Sequence, residues 1–204
     1  MGLLDDAVLE IASNRSLRLV WYLLIVVFGV SAVLVVVFYN SLQSSVLGSY
    51  MANETQQIKE VAGYFSNSSS LYALLPVIIY ANNSLKDFIV YALLIVLVFP
   101  PLVLIVNGGL VGYVSMLTLP IHGNSLVVFY YLVPHGVIEI PAFSLTAASI
   151  VLIRRGVGAM YYRAFPLLIL SLTLLIVAAI VESTVTPGAA YLVRLLTNQS
   201  AGAP

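Results

Sequence analysis

Two ionisable side chains, His135 and Glu139, sit four residues apart in the run Val133-Pro134-His135-Gly136-Val137-Ile138-Glu139-Ile140-Pro141-Ala142, which is otherwise apolar enough to lie in a bilayer. An intact helix would put both on one face. Three chemistries fit that spacing. The two could form a buried hydrogen-bonded pair. They could share a zinc ion, as imidazole and carboxylate do. They could also relay a proton or hold a substrate, because imidazole titrates near neutrality. A carboxylate at mid-membrane costs roughly 2.5–3.5 kcal/mol on insertion scales, so Glu139 calls for a partner or a wet cavity. Only His122 and Glu182 remain as obvious further metal ligands, and there is no HExxH. The sequence therefore assigns no metal, no cofactor and no catalytic residue.

Other polar or small residues are spaced through the apolar chain. Asn82 and Asn83 open one apolar segment, and Asn107 with Gly108, Gly109 and Gly112 interrupts another. Asparagines in such places cap helices or bond across them, and Gly108-xxx-Gly112 has the spacing that lets two helices approach closely. Glu182, near the end of the last apolar run, either reaches the headgroups or turns inward to meet Asn82, Asn83 or Asn107. Pro134 and Pro141 bracket the His/Glu pair, and each removes a backbone donor, which argues against a long regular helix there.

The elements that must position these residues are membrane spans. The 204-residue chain is 61% hydrophobic and 8% charged, with a mean hydropathy of +1.07. A soluble domain carries about a quarter charged residues. With zero formal net charge and no basic run, nothing suggests nucleic acid as a partner, and none is expected. The absence of cysteine excludes disulfides, thiolate metal sites and cysteine nucleophiles.

Residues 1–16 read as an amphipathic N-terminal helix, lying against the bundle or the headgroups or docking a cytosolic partner. Residues 17–39 form a first span that starts too late and runs too long for a cleaved signal peptide. Residues 40–85 are a polar excursion with near-helical apolar spacing and the sequons Asn53-Glu54-Thr55 and Asn67-Ser68-Ser69. A second span covers 86–106, kinked by Pro100-Pro101. Asn107-Gly108-Gly109 then splits off 108–121 as a short third span or a re-entrant segment. The His/Glu motif lies in a fourth span, 126–153; 165–185 is the fifth, and 186–204 is a tail.

The expected fold is all-α: a polytopic helical bundle with about five spans, one or two of them broken or re-entrant, and a helical excursion outside the membrane. Arg15 and Arg18 at one end, with Arg154, Arg155 and Arg163 before the last span, place the N-terminus in the cytoplasm and the C-terminus outside the cell membrane.

The pattern of Asn82-Asn83, Asn107-Gly108 with Gly112, Pro134-His135-Gly136 with Glu139 and Pro141-Ala142, and Glu182 followed by Pro187 resembles the stage II sporulation protein M family. PHGxxExPA is the most specific element, and the likeness covers about residues 75–187. The resemblance implies a five-span protein. The namesake works in a membrane complex with peptidoglycan hydrolases during engulfment in sporulating bacteria. The family also occurs in archaea, and the Val-, Leu- and Tyr-rich composition suits an archaeal member.

These readings lead to a non-enzymatic scaffold or membrane-shaping protein. It would lie in the lipid bilayer, form homo-oligomers and bind further membrane proteins. A transporter or permease subunit using intramembrane His, Glu and Asn is the alternative. An intramembrane metal-dependent enzyme is the third.

Overall fold

The computed structural model describes residues 2–66, 74–122 and 125–200, with side chains described for 2–57, 60, 74–117 and 136–184. Among the described residues every regular element is helical. In chain order these are α1 (Leu3–Ser13), α2 (Arg15–Val37), α3 (Tyr39–Leu42), α4 (Val46–Ser66), α5 (Leu75–Ala92), α6 (Phe99–His122), α7 (Ser125–Ala148), a 3-10 helix (Ser149–Arg155) and α8 (Val157–Ser200).

Four helices hold stretches long and apolar enough to cross a membrane: Arg15–Val37, Phe99–Leu117, Gly136–Arg155 and Val157–Thr184. A bilayer core of about 30 Å needs about 20 helical residues, and every stretch meets or nearly meets that length. α5 is more polar, yet it packs against α8 and α7 within the same bundle. Four candidate spans among the described residues are roughly consistent with the expectation of about five.

Contacts fix the helix directions. Gly108 of α6 lies against Phe28 and Ser31 of α2, and Gly112 lies against Ala32, so α2 and α6 run parallel. Tyr91 near the end of α5 meets Tyr161 near the start of α8, which makes that pair antiparallel. Trp21, early in α2, donates its indole N–H to the carbonyl of Pro141 late in α7, at 2.8 Å. The chain therefore alternates direction through α2, α5, α6, α7 and α8. The core is densest along α7 and α8, where Ala142, Leu145, Ala148, Leu167, Leu168 and Leu175 are buried.

Breaks in the chain fall elsewhere than the sequence suggests. The expected second span, 86–106, straddles a turn: α5 ends at Ala92 and α6 begins at Phe99. Pro100 and Pro101 start the new helix instead of kinking an old one, because the first turn has no intrahelical use for their missing N–H groups. Asn107-Gly108-Gly109 lies inside α6 and breaks nothing; its small residues serve close packing. Pro134 and Pro141 lie inside an unbroken α7. Within a membrane protein, neighbouring helices make such prolines tolerable. α7 changes form only at Ser149, where the 3-10 helix begins.

α1 is docked. Ala7 is fully buried, and α1 packs on α8. Glu10 joins the pieces, with one carboxylate oxygen accepting from Arg163 of α8 at 3.0 Å and the other from Asn14 at 3.0 Å. Asn14 in turn caps α2, its side chain accepting from the Leu17 amide. Arg18 donates to the carbonyls of Ile11 and Ala12 at the end of α1, satisfying acceptors that the helix leaves open. The start of α2, the end of the 3-10 helix and the start of α8 thus gather Arg15, Arg18, Arg154, Arg155 and Arg163 at one end of the bundle. Gly156, with φ of 92°, forms the bend between the 3-10 helix and α8 and needs the conformational freedom of glycine.

Candidate functional site

The PHGxxExPA motif lies on α7 and contributes Gly136, Glu139 and Ile140 to a cavity between α2, α5, α6 and α7. Gly136 and Glu139 line it, facing Asn107 of α6, Lys86 of α5 and Phe28 of α2. The rest of the wall is mainly aliphatic. The cavity measures about 170 Å³. That is near the size of a cavity that admits benzene, and below the roughly 300–1,000 Å³ of ordinary ligand pockets.

Each sequence-derived candidate has a distinct place. Glu139 is half-buried and is engaged in the bundle. The side chains of Pro134 and His135, and with them the expected His135–Glu139 pair, lie outside the described residues, as does the side chain of His122. Pro141 offers its carbonyl to Trp21. Asn107 lines the cavity but gives a side-chain N–H to the Val103 carbonyl of its own helix, at 2.8 Å. Asn82 and Asn83 lie in the middle of α5 rather than at its opening. Asn83 is buried, and Asn82 reaches it at 3.4 Å. Glu182 is half-buried in α8 and makes no hydrogen bond to Asn82, Asn83 or Asn107.

Gly108 and Gly112 form a helix seam. A methyl group at Gly108 would collide with the Phe28 carbonyl and the Ser31 hydroxyl, and one at Gly112 with the Ala32 backbone. Gly109 points elsewhere, toward Met51 of α4 and Val35 of α2. Both contacts require the glycines, since packing of backbones this close leaves no room for a Cβ.

Sequence reasoning missed the most deeply buried charge-bearing group among the described residues. Asp87 of α5 is 0% exposed. One of its oxygens accepts from the Thr146 hydroxyl of α7 at 3.1 Å. The Ser171 hydroxyl of α8 faces the same carboxyl group, but not in hydrogen-bonding geometry, and the second Asp87 oxygen has no protein partner. Ser84, one turn earlier on α5, is buried without a partner too. An unpaired buried polar group costs about 1–3 kcal/mol, and a charged one more. The signal was present as Lys86-Asp87 beside Phe88-Ile89-Val90. It was obscured because the expected span began at residue 86, which put these charges at a membrane edge.

Among the described residues no three His, Asp or Glu side chains converge as a metal-binding group.

The family model described as stage II sporulation protein M matches residues 20–187, a stretch that runs from α2 into α8 and includes the whole cavity. An uncharacterized protein of Methanocaldococcus jannaschii is 33% identical over 177 residues, covering 78% of each chain. No solved structure matches the chain.

Proposed function

The chain belongs to the stage II sporulation protein M family, and we propose that it is a non-enzymatic membrane scaffold that organises a complex in the cell membrane. The archaeal relative fits the expectation of an archaeal member.

One observation carries the scaffold reading. The polar groups of the bundle tie helix to helix, and the cavity beside Glu139 measures about 170 Å³, too small for most solutes. Trp21 ties α2 to α7, Thr146 ties α7 to α5, and Tyr91 with Tyr161 ties α5 to α8. α8 supports the same reading. At 1.5 Å per residue its 44 residues span about 66 Å, twice the hydrocarbon thickness, so part of it stands clear of the bilayer as a surface for partners. In this reading the arginine-rich end is cytoplasmic, α4 and the far end of α8 are outside, and the protein self-associates.

A scaffold needs Glu139 as a polar contact between helices and not as a charge, and glutamine can supply such a contact at similar volume. Glu139→Gln should remain folded, oligomeric and active in cells, whereas Glu139→Leu should lose assembly. A Glu139→Gln protein that assembles normally yet fails in cells would defeat the scaffold reading. The transporter reading draws on Lys86, Asn107 and Glu139 lining one cavity, and would then gain.

A further inference from the structure

Three long helices converge on Asp87. α5 contributes the carboxylate, α7 the Thr146 hydroxyl and α8 the Ser171 hydroxyl. Ser84 lies one turn before Asp87, on the same face of α5. Asp87, Thr146 and Ser171 are 0% exposed and Ser84 is 8% exposed. Three oxygens in this group, one each from Asp87, Ser84 and Ser171, lack a protein partner. Native interiors rarely leave even one such atom unsatisfied, and a cluster of them commonly marks an ion or an ordered water.

We propose that Asp87, Ser84, Thr146 and Ser171 form a buried site for a small monovalent cation of sodium's size, holding α5, α7 and α8 together.

The donor set selects that ligand. Every donor is a hard oxygen, which suits alkali and alkaline-earth cations and not zinc or copper. A single carboxylate balances a single positive charge, so a divalent ion would remain uncompensated in the low-dielectric bundle. Thr146 can keep donating to the carboxylate while a lone pair of its hydroxyl faces the cation, since a hydroxyl carries one donor and two acceptor sites. Two smaller occupants explain less. A water would bond the serines but leave the charge. A proton on Asp87 would neutralise it and could bond to Ser171, but would leave Ser84 unmatched. A cation beside Asp87 would balance the carboxylate and offer a partner to Ser171, with Ser84 one turn away on the same helix face.

Equilibrium dialysis of the purified protein in detergent against radioactive sodium tests this directly. The wild-type protein should bind sodium saturably, with lithium competing and choline inert. Asp87→Asn should weaken binding by about tenfold or more, the loss expected for a charged ligand. Ser171→Ala keeps the charge and should weaken binding less, which covers the case in which Asp87→Asn does not fold. In melts at constant ionic strength, sodium about 100-fold above its dissociation constant should raise Tm by about 5–10 °C over choline. Absence of saturable sodium binding in the folded wild-type protein would overturn the proposal. So would a folded Asp87→Asn variant that binds normally, or a Tm that follows pH alone and ignores sodium, which would identify a proton as the occupant.

Discussion

Tyr91 and Tyr161 hold α5 and α8 together by a reciprocal exchange. Their rings meet edge to face with centroids 5.4 Å apart. The Tyr91 hydroxyl donates to the Tyr161 carbonyl at 3.0 Å, and the Tyr161 hydroxyl donates to the carbonyl of Ala92 at 2.7 Å. Ala92 ends its helix, so its carbonyl is one that α5 itself cannot satisfy. Removing either hydroxyl as Tyr91→Phe or Tyr161→Phe should cost about 1 kcal/mol. Because the two bonds clamp the same pair of helices, the double variant should depart from additivity by about 0.5 kcal/mol or more. Detergent unfolding of the three variants measures both quantities, and strict additivity would mean that the two hydroxyls act independently.

The glycine seam predicts opposite outcomes for the same substitution. Gly108→Ala and Gly112→Ala force a methyl group into the α2 backbone and should destabilise by about 1–3 kcal/mol, as overpacking does. Gly29 of α2 has open space around its Cβ position. Gly29→Ala should therefore be neutral or stabilise by up to about 1 kcal/mol through helix propensity. Comparing midpoints of unfolding separates the two classes; equal effects at Gly29 and Gly108 would mean that the seam is not closed.

Membrane orientation can be read chemically, because the chain has no cysteine of its own. Ser16 and Gly158 lie at the arginine-rich end and are exposed, and Gly158 has room for a side chain. Asn53 is exposed on α4. If the basic end is cytoplasmic, as proposed, an impermeant thiol reagent added to intact cells should label Asn53→Cys and spare Ser16→Cys and Gly158→Cys. Reversed labelling would invert the topology while leaving the helix packing unchanged.

Trp21 is the sole tryptophan, so its emission reports on the contact between α2 and α7. Its N–H bond to Pro141 should be worth about 1 kcal/mol, lost in Trp21→Phe. Denaturant titration of the wild-type protein should move the emission maximum together with the loss of helical circular dichroism. A shift well ahead of that loss would show that α2 leaves the bundle first.

The spans were legible because bilayer thickness imposes long apolar runs. The breaks between them were not, for physical reasons specific to this chain. Asn107-Gly108-Gly109 carries the residues that end helices in water, yet here they sit mid-helix, where small size admits a neighbouring backbone. The real turn between α5 and α6 contains Ile95, Val96, Leu97 and Val98, which give no turn signal, and all four are half or more exposed. Glu139 was found because a carboxylate stands out between apolar neighbours, and Gly108 and Gly112 because their spacing has a packing meaning. Asp87 escaped because its partners, Thr146 and Ser171, come from distant segments and are unremarkable residues until folding brings them together.

The length of α8 turns a small motion into a large one. The helix starts at a glycine bend, packs on α5 and α7, and continues as one helix of 44 residues. A tilt of about 10° pivoting at Gly156 would sweep the far end through about 11 Å, given a rod of about 66 Å. The length of α8 would therefore act as a lever arm for any tilt at its start. Ser171, which faces Asp87, lies about a third of the way along that length, so a shift of about 1 Å there would become about 3 Å at the far end.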